Sequence, residues 1–311
     1  MNLQDISSKI KKYALEIGFN DCGFAKVEEL TFNKQKLYFS INNGYTAKLS
    51  FLSRNVDKRA NPAILFENAK TVIIVLASYF PQKIQNEKKY KISIYSYSNN
   101  YHNIIKNNLN KLFFKLKEVF PDVIGRVFCD TAPIFEKEWA KRAGLGWLGK
   151  NNLLINENLG TFVFIGGILI DKELYYDNAF EKTCGNCNLC IESCPTKALS
   201  PYLLDVNKCI SYITIENKNN KIPESFKEKI KNEIYGCDIC QNVCPHNKKL
   251  NDRANHFFKP NEYVNWNEEN WENLNEEKFK SVFKDTAIVR IGLKKLKRNI
   301  EFVNRNNKLQ Q

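Results

Sequence analysis

Residues 184–195 read Cys184-Gly-Asn-Cys187-Asn-Leu-Cys190-Ile-Glu-Ser-Cys194-Pro195, and residues 237–245 read Cys237-Asp-Ile-Cys240-Gln-Asn-Val-Cys244-Pro245. A lone Cys209 lies between them. The first run is C-x2-C-x2-C-x3-C-P, the spacing with which bacterial ferredoxins hold iron–sulfur cubanes. Three thiolates two residues apart wrap one loop around a cluster. The fourth, a helical turn onward, points toward a second cluster. The second run has two closely spaced cysteines before its own C-P, so Cys209 completes the count. This assigns Cys184, Cys187, Cys190 and Cys244 to one [4Fe-4S] cluster, and Cys194, Cys209, Cys237 and Cys240 to the other. The alternative is two zinc sites of four thiolates each. Zinc favours paired C-x2-C knuckles, whereas a triple run with two C-P endings fits iron–sulfur better.

The remaining two of the ten cysteines, Cys22 and Cys129, stand apart and read as buried apolar residues. Ligand cysteines imply a reducing compartment. The N-terminal MNLQDISSKIKKYALEIG lacks the continuous apolar run of a signal peptide. Its Ile6, Ile10, Tyr13, Ala14 and Ile17 mark one helix face instead, with Gly18 as the stop. The most apolar stretches, Val72–Ala77 and Phe162–Ile170, fall well short of the ~20 residues a membrane span needs. A cytoplasmic location with no membrane partner is therefore expected.

The chain has 311 residues, 43% hydrophobic and 26% charged, ordinary values that exclude a disordered polymer and allow a sizeable core. Its formal net charge is +13. An excess of this size favours a polyanionic partner, although Lys, Asn and Ile are abundant throughout and the bias could be purely compositional.

Ahead of the cysteines, Asp21–Val27, Thr71–Tyr79, Val123–Cys129 and Thr161–Ile170 read as strands. Residues 102–120 carry a helical stripe of Ile105, Leu109, Leu112, Leu116 and Val119, and Phe135, Trp139 and Ala143 suggest a short helix. No clean βαβ period emerges, so the fold class is α+β. The segment Gly144-Leu-Gly-Trp-Leu-Gly149-Lys150 matches G-x-G-x-x-G and nearly matches a P-loop. A helical pattern precedes it, an extended one follows, and Asn151 stands where a P-loop needs Ser or Thr, so both nucleotide readings fail. Its glycines either let backbone approach a cofactor or turn the chain. Asp130, at the end of a predicted strand, reads as a turn or helix-cap aspartate, or as a desolvated carboxyl with raised pKa that donates a proton. His102, opening a predicted helix, reads as a cap or surface residue. Near the C-terminus, Val289, Leu293, Leu296, Ile300 and Val303 form an apolar stripe. Arg290, Lys294, Lys295, Lys297 and Arg298 cover the other faces, a surface for phosphates or simply for water.

Several segments together resemble the epoxyqueuosine reductase family. They are Asp57-Lys-Arg59 with Pro62, Tyr101-His102, Asp130-Thr-Ala-Pro133, Arg142-Ala-Gly-Leu-Gly-Trp-Leu-Gly-Lys-Asn151, both cysteine runs, Cys209-Ile-Ser-Tyr-Ile-Thr-Ile-Glu216 and Arg298-Asn299. The resemblance covers nearly the whole chain. It implies a nitroreductase-like cobalamin-binding catalytic domain over 1–175, a ferredoxin-like two-cluster domain over 176–250 and a basic helical region over 251–311. It further implies reduction of epoxyqueuosine to queuosine at the tRNA wobble position by low-valent cobalamin. Electrons would come through the two clusters from a low-potential donor, and Asp130 would be the proton donor. Cobalamin contacts would fall at Arg54, Ser93, Asp130, Lys150, Asn151, Leu154 and Ser211. The partner would be a tRNA anticodon stem-loop and the chain a monomer. Gly167 departs from a carboxylate common in the family. The chain stops soon after the basic helix, so much of the helical-repeat tail of longer members is expected to be missing. Two other readings compete. A corrinoid reductive dehalogenase has no use for the basic surface, and a ferredoxin-like electron carrier leaves the large N-terminal portion unexplained.

Overall fold

All eight residues of the strand Thr71–Ser78 are buried, a pattern that requires cover on both faces. The computed structural model, which describes residues 2–81, 83–86, 89–248 and 254–308, supplies that cover. Strands β1 (Asp21–Lys26), β2 (Thr71–Ser78), β3 (Gly125–Phe128) and β4 (Val163–Ile170) form one sheet in the order β1-β2-β4-β3, every pair antiparallel. Helix α1 (Leu3–Ile17) and helix α2 (Tyr101–Val119) lie on the face of Ile73, Val75 and Ala77. Their own stripes, Ile10 and Ala14 with Ile105, Leu109, Leu112 and Leu116, are buried there. The short α3 (Glu136–Arg142) packs Trp139 and Ala140 on the opposite face, against Val72, Ile74 and Leu76. The result is a helix–sheet–helix sandwich, the mixed architecture expected from the sequence. Cys22 and Cys129 are buried in it among apolar neighbours.

A second core joins residues 90–97, Phe162 and residues 210–303. The two-residue strand Lys91–Ile92 pairs in parallel with Glu233–Tyr235. Near them Tyr212–Glu216 winds as a π-helix, which leaves carbonyls without regular helical partners. The C-terminal helix, Gly292–Lys308, supplies donors. Arg298 bonds the carbonyls of Ile213 at 2.8 Å and Asn219 at 2.5 Å. Lys295 donates to the Ile215 carbonyl at 2.8 Å, and Asn299 to Thr214 at 2.9 Å and Ile234 at 2.8 Å. Two expectations change as a result. Lys295 and Arg298 are structural donors rather than members of a solvated basic face. Val289 is 39% exposed in a 3-10 turn before the helix, and Ile288 and Ile291 take its place in the core.

Candidate active site

Each cysteine run folds into a loop and one helical turn: α4 (Leu189–Glu192) in the first, α5 (Ile239–Asn242) in the second, packed on each other. Cys184, Cys187, Cys190 and Cys244 line one cleft together with Lys150, Asn151 and His246. Among the other four thiols, Cys240 lies in the field of Cys209 and Cys194, as well as of Cys190 from the first set, and Cys237 in that of Cys240 and Cys209. Each C-P cysteine thus has a neighbour from the other run: Cys244 shares the cleft of Cys184, Cys187 and Cys190, and Cys194 lies near Cys209 and Cys240. Burial, then the neighbouring Cys209 and Asp238, pushes the Cys240 thiol up to about 12. Burial also raises Cys190, Cys209, Cys237 and Cys244. Thiols so reluctant to ionise alone are suited to a cationic group that displaces their protons. Among the described residues no three His, Cys, Asp or Glu groups close on a single ion. The indole Nε1 of Trp147 is buried without a hydrogen-bond partner, and Trp147 packs against Cys184 and Cys244. An orphaned donor beside the first set fits a sulfur-rich acceptor there.

The residue before each helical turn ties it to a segment of the N-terminal part of the chain. Lys150 Nζ donates to Asn188 Oδ1 at 2.9 Å and to the Gly185 carbonyl at 2.7 Å. The Ser93 hydroxyl donates to the Asp238 carboxylate, which also accepts from the Ile94 N–H at 2.7 Å. The side chains of Lys150 and Ser93 are therefore committed to the cysteine loops. Asn151 Oδ1 accepts from the Leu153 N–H at 3.2 Å, and Leu154 is buried in the sheet core. Ser211 immediately precedes the π-helix. Arg54 is exposed, with no ion-pair partner among the described residues. Arg59 Nε is buried and unpartnered, within the fields of Glu136 and Asp130.

Asp130 follows β3 with φ +57°, a left-handed conformation that Asp tolerates better than most residues. It caps no helix; α3 starts at Glu136 with Phe135 before it. Its side chain is 56% exposed, and Oδ2 accepts from the Tyr101 hydroxyl at 2.9 Å and lies 2.8 Å from His102 Nε2. Its backbone N–H donates to Glu136 Oε1 at 2.5 Å. The expectation of a raised Asp130 pKa is overturned. Burial pushes the carboxyl up, but the His102 and Tyr101 hydrogen bonds, with the charges of His102 and Arg290, outweigh it and hold it below its ordinary value. The raised group is Glu136, pushed up to about 8 by burial and by the charge of Asp130. His102, expected to be a cap or surface residue, is instead the partner of Asp130, brought there by packing of α2 beside β3.

Space accounts for two of the glycines. Gly146, at φ +145°, lies so close to the Ile155 carbonyl that no Cβ fits, so this loop turns and packs on its own backbone. At Gly167 a Cβ would meet the Phe128 ring and the Ile73 carbonyl, so a carboxylate has no room there.

A mixed sheet domain joined to a module with two sets of four cysteines defines a double-cluster redox protein. A 4Fe-4S double cluster binding domain model matches residues 183–247, and the model described as Epoxyqueuosine reductase QueG, DUF1730 matches residues 59–131. The epoxyqueuosine reductase of Leadbetterella byssophila is 42% identical over 301 residues, 97% of this chain and 99% of that one. A crystal structure of epoxyqueuosine reductase with an epoxyqueuosine-modified tRNA-Tyr stem loop superposes with TM-score 0.90 at 26% identity, covering 99% of this chain and 83% of that one. A catabolic reductive dehalogenase, 12% identical with TM-score 0.52, shares the fold alone, over 99% of this chain and 37% of its own. The chain belongs to the epoxyqueuosine reductase family and is an oxidoreductase.

Proposed function

We propose that this chain reduces epoxyqueuosine to queuosine at the wobble position of tRNA. One observation carries the reading: both cysteine loops are tied, through Lys150 and Ser93, to the N-terminal part of the chain, which also presents Asp130 on its surface. Cys184, Cys187, Cys190 and Cys244 would hold one [4Fe-4S] cluster, and Cys194, Cys209, Cys237 and Cys240 the other, passing electrons from a low-potential donor. Arg54, Ser93, Asp130, Lys150, Asn151, Leu154 and Ser211 are the residues assigned to a cobalamin in a nitroreductase-like domain over 1–175. The unpaired Arg54 and the orphaned Arg59 Nε fit a ligand rich in amide and phosphate oxygens. Lys150, Asn151 and Leu154 would reach it through their backbone, since their side chains are engaged elsewhere. Bound there, the cobalamin supplies low-potential chemistry that no side chain offers.

The side chains supply protons and position. Removing an epoxide oxygen as water consumes two electrons and two protons and leaves a carbon–carbon double bond. Asp130 protonates the departing oxygen, and Tyr101, donating to the same carboxyl oxygen, fixes its direction. The net charge of +13 suits an anticodon stem-loop bound through its phosphates, with the wobble base turned out toward Asp130. We further assign 176–250 to the two-cluster module and 251–311 to a C-terminal helical region, in a monomer that works in the cytoplasm.

The test is anaerobic reconstitution, with spectra recorded with and without cobalamin, followed by nucleoside analysis of epoxyqueuosine-containing tRNA. We expect about eight iron and eight sulfide per chain, a distinct cobalamin spectrum, and queuosine formed only by the fully reconstituted chain. Stoichiometric zinc without sulfide, or no queuosine from a chain that binds tRNA and both cofactors, overturns the reading.

A further inference from the structure

Asn100 is the N-cap of α2, and its Oδ1 accepts the His102 backbone N–H at 3.1 Å. That bond identifies the atom as the oxygen of the amide. The same oxygen lies 2.8 Å from His102 Nδ1, so Nδ1 carries a hydrogen and donates. The opposite ring nitrogen, Nε2, lies 2.8 Å from Asp130 Oδ2. Two lone pairs do not face each other at that distance, so a proton lies between them. Tyr101 donates to the same carboxyl oxygen and is pushed far above its ordinary value, chiefly by burial, so it remains a donor. The pair is thus imidazolium with carboxylate, or imidazole with carboxylic acid, and in either form it holds one transferable proton.

We infer that His102 is the proton reservoir of Asp130, locked in the required tautomer by Asn100; the inference rests on Asp130 being the proton donor. When the carbon–oxygen bonds of the epoxide break and the two electrons arrive from the low-potential donor, Asp130 gives the proton on Oδ2 to the departing oxygen. That is the one proton the pair holds, so solvent next reprotonates Nε2 of His102, which is 24% exposed, and the new proton passes on to Oδ2. The second proton that completes water follows the same route. His102 touches Asp130 and not the epoxide, so it is a positioning residue. Other charged groups bear on the pair. Glu136 accepts from the Asp130 N–H, and Arg59, Lys137 and Arg290 offset the negative charge, while Cys129 stays a neutral buried thiol.

The first measurement needs no cofactor. The chain has three histidines, so nitrogen-15 histidine spectra, assigned with His102→Gln, isolate the ring of His102. We expect a protonated Nδ1 and a downfield, hydrogen-bonded proton on Nε2 that disappears in Asp130→Asn. A bare Nδ1, or a spectrum indifferent to Asp130→Asn, overturns the inference. The second measurement is the pH profile of single-turnover epoxyqueuosine reduction. His102→Gln should leave tRNA affinity within about twofold and lower the rate about 10–100-fold near neutral pH. Its rate should fall about tenfold per pH unit, because an isolated Asp130 must find its proton in solution, while the wild-type rate stays level over that range. A wild-type profile in His102→Gln, alongside a dead Asp130→Asn, sinks this inference and leaves Asp130 as donor. Normal turnover by Asp130→Asn instead sinks the assignment beneath it.

Discussion

Asp130 works by its neighbours rather than by isolation. A lone carboxyl would need a strongly raised pKa to hold a proton at neutral pH; here the hydrogen bonds of His102 and Tyr101 hold the carboxyl low, and, on the inference that His102 is its reservoir, it shares its proton with that ring. Asp130→Asn keeps the shape and the hydrogen bond but loses the transferable proton. Queuosine formation by the reconstituted chain should fall by about 10²-fold, with cluster and cobalamin spectra unchanged; near-normal turnover would place the proton source elsewhere. Glu136 carries a separate pH signature. Its carboxyl rises from 4.5 to about 8, so the native state binds its proton more tightly than the unfolded chain does. The stability it contributes is intact below pH 4.5 and is lost as pH rises through about 8. Glu136→Gln should therefore melt with the wild type at acid pH, and about 2 °C or more above it at pH 9. An equal offset at both pH values would show that Glu136 is not held protonated. Asp130 was legible from its local motif. The weight of His102 was not, because 28 residues separate it from Asp130 and only the packing of α2 beside β3 joins them.

At the scale of elements, what the sequence declared most clearly was local: a stripe with period 3.6, a continuous apolar strand, a cysteine spacing. Where packing at a distance decides, the pattern misled. The stripe through Val289 ran one turn too far because Gly292, at φ +72°, starts the helix afresh. Lys295 and Arg298 look like surface charges until the π-helix beneath them exposes its carbonyls. The cysteine crossover can be tested by pairing substitutions. Cys184→Ser with Cys244→Ser should remove one cluster and leave about four iron per chain, since both belong to one set. Cys184→Ser with Cys194→Ser should remove both, although these two share a run. The reverse pattern, with the same-run pair sparing a cluster, would show that each run holds its own.

For the whole molecule, the shared core of residues 90–97 and 210–303 makes the cysteine module and the C-terminal helix one packed body, so that helix is carried at a fixed distance from the clusters. Its charge divides accordingly. Lys295 and Arg298 are spent on internal carbonyls, and Arg290 pairs with Glu216, which leaves Lys294 and Lys297 exposed toward solvent. If the excess charge serves tRNA, these two exposed lysines are free to meet phosphate. Their joint reversal, Lys294→Glu with Lys297→Glu, should weaken tRNA binding and lower the slope of log affinity against log salt by about two. Cluster spectra and melting temperature should stay as in the wild type, because neither side chain is part of the packed body. Lys295→Glu should behave differently, destabilising the fold by leaving the Ile215 carbonyl without its donor, at about 1–3 kcal/mol. Affinity and salt slope that ignore the double reversal would mean that this helix faces only water, and that the charge excess at this end of the molecule is compositional.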